Sequence, residues 1–235
     1  MIAYKFLEKD RFAMFGGVAW PEPGTWLEAP GGLADHHSGI HALRMHAILG
    51  WIDDELWTCE LDGAIEDDGE VLVAQRGRLL ERVESWNEAS AYDFARTCAA
   101  RGRELVVDSL RGEGHETQAR ELDGLDATSF VSTAPDVAAG LPLEAGGLLM
   151  MAADTTALAE RRPLPSRQPQ LRSHLEAVAA SRSTYGAIAA NVAFVVSCST
   201  AGLHPEGFEA GLSAERAWQL DRLLDQLSLA VPATT

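Results

Sequence analysis

Lysine is nearly absent from this 235-residue chain: only Lys5 and Lys9 occur, against 17 arginines. Together with abundant alanine, that bias reads as the drift of a high-GC genome. Cysteine is sparse too. Cys59, Cys98 and Cys198 lie far apart, and no C-x-x-C pair occurs. An odd, scattered set excludes a disulfide framework and a zinc ribbon, and it fits free thiols in a reducing, cytoplasmic compartment. Positive charge is outnumbered in both halves, although Arg161, Arg162, Arg167, Arg172 and Arg182 face only Glu176 in one stretch. Residues 1–86 hold 16 acids against 7 bases, the remainder holds 19 against 12, and the formal net charge is −16. Nucleic-acid binding draws on a cationic surface that releases counterions, so neither half favours it. The arginines from Arg161 to Arg182 read as a solvated loop and helix start. Long apolar runs are missing as well. The longest, from Ala187 through Val196, is interrupted by Asn191 and is too short to span a bilayer. The opening MIAYKFLEKDRF has no apolar signal-peptide core. The expectation is an acidic protein of the cytoplasm, with no membrane and no nucleic acid as partner.

What is present is a globular composition, 46% hydrophobic and 23% charged. A chain this long buries roughly 70% or more of its unfolded surface and folds without staples. Hydrophobic alternation dominates up to Trp86. Strands are expected at Ile2–Leu7, Ile40–Arg44, Leu56–Leu61, Val71–Ala74 and Arg78–Val83, with a stub at Trp26–Glu28. Ala47–Asp53 reads as a short helix or turn, and Asp62-Gly63 as the turn ending the third strand. From Asn87 the pattern is helical. Asn87 caps a helix reaching about Arg101. Glu104–Leu110 reads equally as helix or strand. Short helices fill 115–162, Pro163–Pro169 marks a linker, and Leu171–Ser199 is a long helix kinked near Gly186. Ser213 caps a last helix, whose stripe of Ala217, Leu220, Leu224 and Leu227 offers a contact for self-association. The fold class is therefore α+β, with a small, mainly antiparallel sheet unit over 1–86 packed against a helical unit over 87–235.

Three clusters carry the candidate chemistry. Asp35-His36-His37 and His41, with His46 beyond, is rich in imidazole, but it has no metal-ligand spacing, and no metal site is assigned. His41 within Gly39-Ile40-His41-Ala42 is the acid/base candidate, because an imidazole titrates near neutrality. Asp53-Asp54-Glu55 lies between Trp51 and Trp57. Asp54 and Glu55 are read as supporting catalytic carboxylates, since neighbouring acids split their pKa values. The plainer reading makes them charges at a helix start. Arg76-Gly77-Arg78 is placed to grip a phosphate or carboxylate, or to pair with the surplus acids. Arg44, Arg76 and Arg78 with Trp51 and Trp57 complete the ligand-binding set. No G-x-G-x-x-G, Walker A or G-x-S-x-G motif occurs, so no cofactor is named.

Several of these residues carry a resemblance. Tyr4-Lys5-Phe6-Leu7, Trp20-Pro21, Trp26-Leu27-Glu28-Ala29, Gly39-Ile40-His41-Ala42, Asp54-Glu55-Leu56-Trp57, Glu60-Leu61-Asp62-Gly63 and Arg76-Gly77-Arg78 resemble an uncharacterised family of high-GC bacterial proteins, as does a closing Glu215-Arg216-Ala217-Trp218-Gln219. Leu43 departs from that pattern, which has cysteine there. The order of Ile2–Leu7, Gly39–Ala42 and Leu56–Gly63 more distantly resembles ADP-ribosyltransferase-type folds. That resemblance implies NAD as substrate, with Glu81 or Glu84 in the place of the catalytic acid. The functional expectation is a small-molecule enzyme or ligand-binding protein with a pocket around His41, Asp54 and Glu55, where the sheet unit meets the helical half. The alternatives are a non-catalytic assembly protein and an ADP-ribosyltransferase-like enzyme.

Overall fold

The computed structural model describes residues 1–14, 18–29, 39–165 and 184–229. The Asp35-His36-His37 cluster, most of the Pro163–Pro169 linker and the first part of the expected Leu171–Ser199 helix lie outside the described residues. The chain is an α+β protein, an antiparallel sheet followed by a helical C-terminal half. It divides into two compact units. The first contains Met1–Ala91 and takes in two later stretches, of which 184–187 and 220–229 are described; the second holds the intervening helices.

In the first unit, β1 (Ile2–Leu7), β2 (Leu27–Glu28), β3 (Ile40–Leu43), β4 (Glu55–Asp67) and β5 (Val71–Arg82) pair antiparallel in the order β2-β5-β3-β1-β4. The sheet curls until β4 also pairs with β5, which closes the ring. Directly opposite residues in an antiparallel pair point to one face. Lys5↔Trp57, Ala3↔Cys59 and Leu7↔Glu55 therefore share a side, and Ala42↔Leu72 and Ile40↔Ala74 carry the same alternation on the neighbouring strands. Ala3, Leu7, Ala42, Trp57, Cys59, Leu61, Leu72 and Ala74 form one buried cluster with Trp20. The other face buries Phe6 edge-on against Trp86, with ring centroids 5.6 Å apart and planes at 78°. Each such aromatic contributes about 2–3 kcal/mol through burial.

Two expected features of the sheet are corrected. Asp62-Gly63 does not turn the chain. Gly63, at φ +83°, sits in an irregularity of the β4–β5 ladder, and β4 runs on to Asp67. The hairpin turns instead at Asp68-Gly69, where Asp68 Oδ1 accepts from Glu70 N at 2.9 Å and Val71 N at 2.7 Å. Nor do Val71–Ala74 and Arg78–Val83 form separate strands. Gly77 carries β5 straight through, and a Cβ there would lie 2.8 Å from Ile40 and 3.3 Å from Trp20. Met45–Trp51 forms a 3-10 segment, in keeping with the expected short helix or turn.

The helices are α1 (Glu88–Gly112), α2 (Glu116–Leu122), α3 (Ala127–Ala139), α4 (Leu143–Ala159), α5 (Tyr185–Ala201) and α6 (Phe208–Leu227). Asn87 Oδ1 caps α1 through Ala89 N at 3.0 Å and Ser90 N at 3.3 Å. The ambiguous 104–110 segment is helical. Its Val106, Val107 and Leu110 pack with Leu122, Phe130 and Leu149 in the core of the second unit. Ser213 does not cap α6. The helix starts at Phe208, after Gly207 at φ +96°, and Ser213 lies inside it, exposed. The buried stripe is also rotated. Ala217 is exposed, while Glu215, Gln219, Leu223, Leu224 and Leu227 are buried. Gln219 Nε2 donates to Ala193 O and to Glu215 Oε1, both at 3.1 Å, and Ser197 Oγ donates to Gln219 Oε1 at 3.1 Å. Burial pushes the Glu215 carboxyl above its usual range. No helix among the described residues is long and apolar enough to cross a membrane.

Gly211 lets α6 approach the end of α5, since a Cβ there would lie 2.2 Å from Ala201 O. Alanine adds at most about 1 kcal/mol of helix propensity, whereas forcing backbone apart costs about 1–3 kcal/mol or more. Gly211→Ala is therefore expected to lower stability by about 2 kcal/mol in urea unfolding, despite the better helix former.

Candidate functional site

β3 places His41 and Leu43 on the face shared with Phe6. Together with Lys5, Trp51 and Val71 they line a recess of about 10 Å³. That volume admits about one water molecule. His41 Nδ1 lies 3.0 Å from Gly39 O, a carbonyl that can only accept. The neutral ring therefore carries its proton on Nδ1 and leaves Nε2 as an acceptor. His41 and Trp51 thus line one recess. Asp54, Glu55, Trp57, Arg44, Arg76 and Arg78 are not among the residues that line this recess.

The two carboxylates are engaged elsewhere. Asp54 is 1% exposed. Its Oδ1 accepts from Gly186 N at 2.8 Å, and its oxygens lie 3.3 and 3.2 Å from Thr184 N. It therefore caps the start of α5 from 130 residues away in sequence, with its charge at the positive end of that helix. Tyr185 Oη donates to Asp54 O at 2.6 Å. Burial first, and the Asp54 charge second, push this phenol up to about 12. Next to it, Trp86 Nε1 donates to Asp53 O at 2.7 Å. Gly186 fits so closely that a Cβ would stand 2.1 Å from the Asp53 carbonyl carbon. Glu55 accepts from Trp57 Nε1 at 3.0 Å and from Asp10 N at 3.2 Å, and lies 3.7 Å from Arg82.

The arginines are spent on acids. Register sets Arg78 opposite Glu60 and Arg76 opposite Asp62. Arg78 bonds Glu60 at 2.6 Å, Arg76 pairs with Asp62 and reaches Glu28 at 3.8 Å, and Arg44 pairs with Asp67. The guanidinium hydrogen bonds hold Asp62 and Asp67 below the usual carboxylate range. Arg76 and Arg78 also stack on Trp26, at 4.8 and 4.7 Å from its ring centroid. Exposed pairs of this kind add roughly 0–1 kcal/mol each. Of the two roles open to Arg76 and Arg78, pairing with the surplus acids is the one they fill. Among the described residues, no group of three or more His, Cys, Asp or Glu could hold a metal ion.

Sequence reasoning missed Lys5. It stands opposite Trp57 and shares its face with Ala3, Leu7 and Cys59, the buried cluster of the sheet unit. Its Nζ lies 6.0 Å from the centroid of the Trp20 ring, and among the described residues no carboxylate pairs with it. It is half-buried, and loss of hydration draws its pKa down to about 8. Burial pushes the neighbouring Cys59 thiol up to about 12, so it stays protonated and supplies no counter-charge. The signal was available. Lys5 is one of only two lysines, and it alternates with Ala3 and Leu7 on the inward side of the first strand.

No family model, no curated protein and no solved structure matches this chain.

Asp54→Ala is expected to cost about 2–3 kcal/mol in chemical denaturation, because it strands two backbone donors and uncaps α5. His41→Ala is expected to cost less than about 1 kcal/mol, since its one hydrogen bond is made locally.

Proposed function

We propose that this chain is a small-molecule enzyme or ligand-binding protein that works through the sheet unit, with the Lys5 amine as the group offered to the ligand. The observation that carries the reading is a lysine on the apolar face of the sheet with no acid partner among the described residues. Perturbed groups of this kind, shifted by desolvation in a partly enclosed setting, concentrate at functional sites. A fall from the ordinary 10.5 to about 8 corresponds to a destabilisation of about 3 kcal/mol at neutral pH. Arginine does not substitute for this role, because a guanidinium stays charged. An amine near pKa 8 has a neutral fraction at pH 7 roughly a hundredfold or more above that of an ordinary lysine. The neutral form is a nucleophile towards carbonyl carbon, and the protonated form is a donor to an anion. His41 and Trp51, which line one small recess together with Lys5, are the nearest support for binding. Asp54 and Glu55 hold the chain in place.

The test is a thermal-shift screen of the wild type and Lys5→Met against nucleotides, NAD and small aldehydes. A ligand that prefers the folded state raises the melting temperature. A rise in the wild type that disappears in Lys5→Met is expected. No rise with any class, or one indifferent to the substitution, would sink the reading.

The lysine also leaves a pH signature. Its folded pKa lies below its unfolded one, so its cost is full below about pH 8 and fades towards 10.5, as the folded form sheds the proton first. Lys5→Met is expected to be more stable than the wild type by about 1–3 kcal/mol at pH 7. The gap should close between pH 8 and 10.5 in denaturant titrations.

A further inference from the structure

The second unit contains a hollow of its own. Residues of α1, α2, α3 and the segment between α2 and α3 line a half-open hollow of about 350 Å³. That lies at the low end of the range for small-molecule sites. Its apolar wall is Val107, Leu122 and Phe130, all buried. Two arginines line it, and they are not equivalent. Arg111 is committed, bonding Asp108 at 2.8 Å and pairing with Asp123. Arg103 lies over the Phe130 ring, 5.6 Å from its centroid, and among the described residues its guanidinium has no hydrogen-bond acceptor and no ion-pair partner. An aromatic neighbour does not neutralise a guanidinium, whose N–H groups stay able to bond a carboxylate.

We infer that this hollow is a binding site for a small monocarboxylate with an apolar body, its carboxylate on Arg103 and its body against Val107, Leu122 and Phe130. The charge balance selects the class. Glu104, Asp108 and Asp123 outnumber Arg103 and Arg111 around the hollow, so every added negative charge is opposed: a dianion such as a phosphate ester meets about twice the repulsion of a single carboxylate, and the direct contact with Arg103 is what offsets the smaller term. Burial draws Arg103 below its usual pKa, while Glu160, Glu104 and Asp126 act the other way, and the group remains a cation. This site does not depend on Lys5.

Calorimetry on the full chain with phenylacetate, phenylacetamide and phenethylamine tests it. Phenylacetate is expected to bind, and the uncharged amide and the amine to bind about tenfold more weakly or worse. Arg103→Met keeps the stem over Phe130 and should cut phenylacetate affinity by about tenfold or more. Ala100→Leu, which fills the hollow and leaves Arg103 in place, should also abolish binding, and Lys5→Met should retain it. The inference is overturned if none of the three probes binds, if acid and amide bind alike, or if Arg103→Met binds the acid as the wild type does. Should Arg103→Met fail to fold, the acid-to-amide ratio in the wild type and the Ala100→Leu result decide.

Discussion

A buried carboxylate must be given donors, and the one at Asp54 organises the sheet unit. Its oxygens reach no water, so the chain returns 130 residues later to supply Thr184 N and Gly186 N. Around that return sit Tyr185 Oη on Asp54 O, Trp86 Nε1 on Asp53 O, and a glycine whose missing side chain admits the Asp53 backbone. Each contact satisfies a polar group that would otherwise cost about 1–3 kcal/mol to bury. Trp86 carries the effect further, because its ring packs edge-on against Phe6 of the first strand. Register in β1, the start of α1 and the start of α5 are thus tied to two consecutive aspartates.

The same constraint explains what could be read from the sequence and what could not. Alternation leads to an antiparallel sheet and an α+β fold, because that signal is local, although two of the expected strands are one. Asp53-Asp54-Glu55 misled because a run of acids looks alike whether it faces a substrate or a distant helix start. The donors that settle its role are over a hundred residues away, and no periodicity links them. Ser213 failed for a related reason. A serine followed by a glutamate two residues on is a sound local cap signal, but the approach of Gly211 to Ala201 keeps the helix running a turn and a half earlier. The Asp62-Gly63 turn gave way to a kink in the ladder, which glycine permits equally well.

Among the described residues, most of the arginines on the sheet are paired with acids. Arg44, Arg76, Arg78 and Arg111 each face acids, and the cross-strand alignment of β4 and β5 sets two of those matches. In a protein with 35 acids and 19 basic side chains, a cation without an acid partner is an exception. Lys5 and Arg103 are two such exceptions, one in each unit. Each stands beside an aromatic ring, at 6.0 and 5.6 Å, with no ion-pair contact to a carboxylate among the described residues. An aromatic neighbour tolerates positive charge without quenching it, which leaves both groups able to meet an incoming molecule.

The order in which the sheet unit is assembled along the chain also matters to its life in the cell. Its strands precede in the chain the residues that satisfy Asp54, and the Leu227 carbonyl that accepts from Ser85 at 3.2 Å, so synthesis supplies these closing contacts well after the sheet. A nascent chain that stops anywhere before residue 184 leaves Asp54 without the Thr184 and Gly186 donors. Completion is thus a late, long-range closure, the kind that loop entropy makes slow. Until residues 184–187 are made, the sheet holds a buried carboxylate without its donors.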